Sequence, residues 1–409
     1  MIPDFIRNVG YELPFILLLI ALLGFRSRVT PRASLLVQAP IEKIFDLVDF
    51  QEGENQRWQR TRVTCTLVDA ETKTYRLNFV TPLAGGAVQS SQALFRVVRR
   101  EAPRYLEIDR AGLEGQSANN QLLKMTTALN PEGTGTRLTI TYHWGPRTLL
   151  AQLLARADLW GSVYRLKGVA ETGIPDYRTD ALISAGVAIV TGIISLATFV
   201  IAFGWIIAPL LVVALLIHEF GHLLAYRLIG QPWGRLVFLP FLGALAVPRL
   251  GFTTQGQLVF AAMMGPSFSV IVPLLAAFYV WLGGPFPDIA VMMGIVACGL
   301  NLFNLLPVEP LDGGIVLRSV LAKIMGRWAR FGLIGMGAVI ITAGFALQQV
   351  LLVIFGALAL LMNLRPRAID PGLAPMSRLH VSMSAFSFMS TVAAYAVLLR
   401  HFMTYVAAT

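Results

Sequence analysis

Charge is scarce in this chain. Of 409 residues only 14% are Asp, Glu, Lys or Arg, while 56% are hydrophobic. That balance excludes an ordinary soluble enzyme and a disordered chain. Cysteine is nearly absent. The two present, Cys65 in an expected strand and Cys298 in an expected membrane helix, exclude a disulfide framework and suit a reducing compartment. Acids are fewer than bases, 23 against 33, giving a net charge of +10. In so apolar a chain this excess fits Lys and Arg gathered on cytoplasmic loops, and no nucleic-acid partner is expected.

The little charge there is lies unevenly. Residues 13–25, LPFILLLIALLGF, form a short apolar run followed by Arg26, Arg28 and Arg32. With no basic flank before it and no small-residue cleavage site behind it, the run reads as an uncleaved anchor, and 1–32 as an anchoring segment. From 33 to 177 the pattern is that of a soluble α+β domain. SLLVQAP (34–40) reads as a strand and IEKIFDLVDF (41–50) as a short helix after Pro40. Alternating segments follow at 61–70, 73–81, 91–100, 104–111, 120–129 and 136–144, with turn residues between them. Apolar residues at helical spacing then predict a long helix over 147–171.

A strand, a short helix, a meander and a long last helix resemble the helix-grip fold of the START and polyketide-cyclase-like superfamily. LLVQAPIEKIFDLV and GTRLTITYHW are similar to its opening and its late strand. The resemblance implies an apolar cavity between sheet and helix, hence a hydrophobic ligand within 33–177. The plainer alternative is a filled core.

Beyond residue 180 the chain is a series of apolar runs. Spans are expected at 182–204, 206–229, 258–282 and 289–306, with 331–364 long enough for a hairpin turning near Gln348 and Gln349. A Ser-rich run, 382–399, either spans the membrane or lies in its interface. Arg227, Arg235 and Arg249 flank one loop, Arg318, Lys323, Arg327 and Arg330 another, and Arg365 and Arg367 a third. These place the soluble domain and the basic loops in the cytoplasm. The boundaries expected are thus 33–177 for the soluble domain, 178–330 for the membrane core and 331–409 for C-terminal helices.

One stretch inside this apolar half carries chemistry. LLIHEFGHLL (215–224) holds His218, Glu219 and His222. Four residues apart on a helix, the two imidazoles share a face and can hold one zinc ion, with Glu219 beside them as a general base towards water. Ionisable residues at membrane depth are costly and functional by default. From Glu219 to Arg227 is about 12 Å of helix, which sets the site that far inside the cytoplasmic boundary. A zinc site needs a third protein ligand. Asp312, in NLFNLLPVEPLDGG (301–314), is the best candidate, because this broken backbone is tolerated at such depth only where it lines a cavity or is buried in protein. The bland alternative for Asp312 is an ordinary helix cap.

His218-Glu219-Phe220-Gly221-His222, followed by Asn304-Leu305-Leu306-Pro307 and Leu311-Asp312-Gly313, resembles the site-2 protease family of intramembrane zinc metalloproteases. The resemblance covers 182–330. It implies one zinc per chain on His218, His222 and Asp312, Glu219 as catalytic base and acid, and Asn304 as a substrate-orienting side chain. Gly265-Pro266 is similar to that family's Gly-Pro motif, but the Asn usual after it is missing, so no catalytic role is expected there. Glu309 is read as a solvated loop acid.

The expected protein is therefore a multi-span α-helical membrane protein with a site-2 protease-like core and a cytoplasmic α+β helix-grip domain, placed in a bacterial inner membrane. Its expected partners are the lipid bilayer and membrane-protein substrates, cut within or near their spans. Segment 234–248, apolar yet broken by Pro240, Gly243 and Pro248, reads as a membrane-facing hairpin. In the resembled family such a segment offers an edge to an extended substrate. The alternative is a membrane lipid sensor or client-binding protein with a metal site and no proteolysis.

Overall fold

The computed structural model describes residues 26–56, 58–59, 61–82, 88–111, 122–239, 243–308, 311–346, 348–364 and 373–409. The expected anchor at 13–25, Glu309, and the basic pair Arg365 and Arg367 lie outside them. The chain forms two compact units that divide between Val187 and Ala188.

The first unit is a nine-stranded antiparallel sheet closed by one long helix. Its strands are β1 (Arg26–Val29), β2 (Arg32–Val37), β3 (Gly53–Asn55), β4 (Arg62–Asp69), β5 (Thr74–Pro82), β6 (Val88–Glu101), β7 (Tyr105–Arg110), β8 (Leu122–Glu132) and β9 (Gly135–Thr148). They are ordered β1-β9-β8-β7-β6-β5-β4-β3, with β2 also on β9. Helix α1 (Ile41–Val48) follows β2 as expected. Period-two alternation builds the inner face: Met125, Thr127 and Leu129 of β8 are buried. The closing helix α2 (Leu149–Thr172) answers with Leu159, Val163, Leu166 and Ala170, a 4-3-4 spacing that makes one apolar stripe. Both faces meet Ile44, Phe45, Leu77 and Leu106 in one core. Burial pushes the thiol of Cys65, in that core, up to about 11, as befits a packing residue.

Two differences from the sequence reading have physical causes. Arg26–Val29, assigned above to the anchoring segment, pairs with the far end of β9. The last strand accordingly runs to Thr148, whose hydroxyl accepts from the Ala151 amide and starts the helix two residues later than expected.

α2 is tied to the next helix by a buried ion pair. Arg165 Nη1 lies 2.6 Å from Asp180 Oδ2, and Arg165 also donates to the Trp58 carbonyl and the Ser162 hydroxyl.

Asp180 sits in the first turn of helix α3 (Tyr177–Leu228), which is broken by a non-helical Gly204 at φ 81°. The two arms match the two expected spans. A hairpin of β10 (Arg235–Leu239) and β11 (Gly243–Val247) follows, at the segment expected to form one. Then come α4 (Gln255–Ser269), α5 (Ile271–Trp281), α6 (Pro287–Asn304), α7 (Asp312–Met325), the pair α8 (Ala329–Ala346) and α9 (Val350–Leu364), and α10 (Arg378–Ala408). Among the described residues, five helical stretches are long and apolar enough to cross a membrane. Ile189, Ile201 and Trp205 of α3 and Phe386 and Val397 of α10 are exposed, a surface that requires an apolar surround. The chain is an integral membrane protein.

The C-terminal run is one helix of 31 residues, about 46 Å at 1.5 Å per residue. It packs Phe388, Tyr395 and Phe402 into the same core as Val259, Cys298 and Val316, so α10 belongs to the membrane unit rather than to its margin.

Candidate metal centre

The second arm of α3 presents His218, Glu219 and His222 to the inside of the membrane unit, and all three are buried. His222 Nε2 is 3.0 Å from His218 Nε2. Asp312 Oδ2 lies 3.2 Å from the first imidazole and 3.5 Å from the second.

Each histidine is fixed by its other nitrogen. His222 Nδ1 is 2.7 Å from the Ala261 carbonyl, which can only accept, so Nδ1 carries a proton and the neutral ring keeps its lone pair on Nε2. His218 Nδ1 is 2.8 Å from Asn301 Oδ1, whose amide nitrogen donates to the Ala297 carbonyl. That bond fixes the amide orientation and the same tautomer. In their neutral form the two imidazoles turn their Nε2 lone pairs towards the Asp312 carboxylate oxygen, 3.2 and 3.5 Å away. Such a donor set fits a cation at its centre. Ligands about 2.0–2.1 Å from a tetrahedral zinc stand about 3.3 Å from one another, and the three separations of 3.0, 3.2 and 3.5 Å fit that edge. Glu219 completes a His-Glu-His group whose ligand atoms lie within 4.8 Å of one another.

Asp312 reaches the histidines because the chain turns back sharply after α6. Leu305 caps that helix by donating to Asn301, and Gly313 passes so close to it that a Cβ there would stand 2.1 Å from the Leu305 carbonyl. The N-cap of α7 is Leu311, which makes no side-chain cap bond. Asp312 is the first residue inside the helix rather than its N-cap, and its carboxylate points to the two histidines.

Glu219 faces the hairpin. Its Oε2 accepts from the Ala246 amide at 2.5 Å, and the Tyr226 hydroxyl, two turns along α3, donates to the Ala246 carbonyl at 3.0 Å.

The Gly265-Pro266 pair, given no catalytic role above, forms the wall against the imidazoles. A Cβ on Gly265 would stand 2.3 Å from His222 Nε2 and 3.0 Å from His218 Nε2. The wall is held from behind by α10, where the Tyr395 hydroxyl donates to the Pro266 carbonyl at 2.6 Å and Thr391 meets Ser267 at 3.1 Å.

Of the residues singled out in the sequence, His218, Glu219, His222 and Asp312 are brought together. Asn304 is not part of the cluster; its amide donates to Leu300 of its own helix at 3.2 Å. Asn301, which the sequence reading passed over, is fully buried and bonded to His218. Its signal was an amide inside an apolar helix, one turn before the asparagine that the motif emphasised.

No family model matches this chain. The "Putative zinc metalloprotease sll0528" of Synechocystis sp. is 34% identical over 127 residues, covering 30% of this chain and 33% of that protein. The chain thus spans about a third of the length of the curated relative it matches. Among solved structures, the Site-2 Protease from Methanocaldococcus jannaschii is 19% identical with a TM-score of 0.29, covering 44% of this chain and 89% of that one. The Aha1 dimer from Colwellia psychrerythraea is 14% identical with a TM-score of 0.26, covering 36% of this chain and 98% of that one. Each of these two structures matches only part of this chain, 44% and 36% of it. Its own topology is that of a multi-span helical core joined to a sheet closed by one long helix.

Proposed function

We propose that this protein is an intramembrane zinc metalloprotease that cuts membrane-protein substrates within or near their spans. The convergence of His218 Nε2, His222 Nε2 and Asp312 Oδ2 at tetrahedral spacing, one residue from a buried glutamate, is the observation that carries it. These three residues would hold the ion, one per chain. When bound, zinc supplies polarisation of the scissile carbonyl and acidification of the attacking water.

The chain's own residues do the rest. Glu219 takes the proton of the attacking water and passes it to the leaving amine nitrogen as the peptide C–N bond breaks, leaving a carboxylate and an amine. A substrate helix hides its carbonyls in its own hydrogen bonds and must unwind first. The β10–β11 hairpin, which touches Glu219 through Ala246, offers a strand edge to hold the unwound segment by main-chain bonds with little sequence demand. Asn304 is assigned the orientation of that segment.

The loop charges support a sheet domain and a catalytic side that face the cytoplasm; the proposed setting is a bacterial inner membrane, and the helix-grip layout makes the 33–177 region a candidate holder of a hydrophobic ligand. Lipid co-purifying with the full chain, and lost when the inner face of that domain is filled with larger side chains, is the expected result for the ligand.

The test of the activity is cleavage of a model single-span protein in proteoliposomes. Products whose new termini lie within or beside the span, abolished by a zinc chelator and restored by zinc, are expected. Intact substrate with zinc bound would leave a membrane sensor or client binder with a metal site.

A further inference from the structure

The hairpin is bound along both outer edges. Residues whose main-chain groups face away from the partner strand alternate along each edge. Ala246, opposite Leu236, is such a position, since its amide goes to Glu219 and its carbonyl to Tyr226. On the other edge the Phe238 amide donates to Thr191 of the first arm of α3 at 3.2 Å. The edge beside the metal-binding cluster is therefore capped by the helix that carries the cluster. A substrate strand added there would need the same two groups of Ala246.

We infer that the hairpin edge is self-capped, with Glu219 and Tyr226 standing in for a substrate strand, and that Tyr226 sets how readily an extended segment is admitted. This rests on the strand-addition reading above. Admission is an exchange of partners. A substrate amide takes the Ala246 carbonyl from the Tyr226 hydroxyl, and a substrate carbonyl takes the Ala246 amide from Glu219. The second exchange releases Oε2 of the carboxylate from its amide donor as the edge fills, which frees that oxygen to accept from water. The geometry favours extended over helical segments, because only an extended chain presents an amide and a carbonyl at strand spacing.

The experiment is a binding titration of the full-length protein in detergent with a fluorescent, β-branched hexapeptide whose central amide is reduced and cannot be cut. Tyr226→Phe keeps the ring and deletes the donor. The expected result is binding about 2- to 10-fold tighter than wild type, the net worth of one neutral hydrogen bond. Should that variant misfold, as judged by its melting curve, Tyr226→Met makes the same test. Equal or weaker binding overturns the inference and leaves Tyr226 a pin that holds the hairpin. Binding of this uncleavable peptide decides the capped edge, whereas cleavage of the model substrate decides the protease reading, so either can fail alone.

Discussion

His218 Nδ1 lies 2.8 Å from Asn301 Oδ1, although 83 residues separate them. Asn301 in turn gives its amide protons to Ala297 of its own helix, so it cannot flip without losing both bonds. The outcome is a neutral histidine held in the tautomer that a metal on Nε2 would require, by a residue bonded to its other nitrogen.

Replacing Asn301 by Leu leaves His218 free to rotate and to change tautomer. Metal affinity, measured by competition with a chromophoric chelator, is expected to fall by about 10- to 100-fold. Asn301→Asp keeps an acceptor on the same nitrogen and is expected to retain most of the affinity. Equal loss in both variants would assign Asn301 to packing alone.

Gly265 makes a sharper case. Alanine there would place a Cβ 2.3 Å from His222 Nε2, where neither the backbone wall nor the imidazole can give. Gly265→Ala is expected to abolish metal binding while the protein remains folded. Gly299→Ala is the matched control, since a Cβ there meets nothing within 4 Å, and it should raise stability by about 0.5–1 kcal/mol, as helical Gly to Ala changes do.

Arg165 and Asp180 are 6% and 0% exposed in their side chains, so removing one partner takes a charge-assisted bond from a buried group. Asp180→Ala is expected to destabilise the first unit by about 3–5 kcal/mol, read from thermal unfolding of the sheet signal. A double change to similarly sized apolar residues should recover much of that loss, because the pair itself contributes little beyond satisfying its own burial.

The sequence made the elements legible where period and punctuation agreed. Alternation marked the strands from β4 to β9, and the breaks at Gly204 and around Gln348 fell where the apolar runs demanded a turn. The metal cluster was legible because His218, Glu219 and His222 are local on one helix face and Asp312 sits in a broken backbone that membrane depth makes expensive. What escaped was non-local. β1 is four residues long and is defined by its pairing with β9 rather than by a pattern of its own. Asn301 looks like any interior amide until His218 is placed beside it. Gly265-Pro266 and Tyr395 are linked across 129 residues by one hydrogen bond, which no spacing rule could reveal. The tie of Ala246 to Glu219 runs through a backbone amide, so the residue's identity carried no trace of it.

The most direct measurement of the central claim compares wild type with Glu219→Gln, both loaded with zinc, on a single-span substrate in proteoliposomes. The glutamine keeps the side chain's size and removes its basicity. The account predicts equal zinc content and a cleavage rate lower by about 10²- to 10⁴-fold in the variant. Cleavage by Glu219→Gln at the wild-type rate would contradict it.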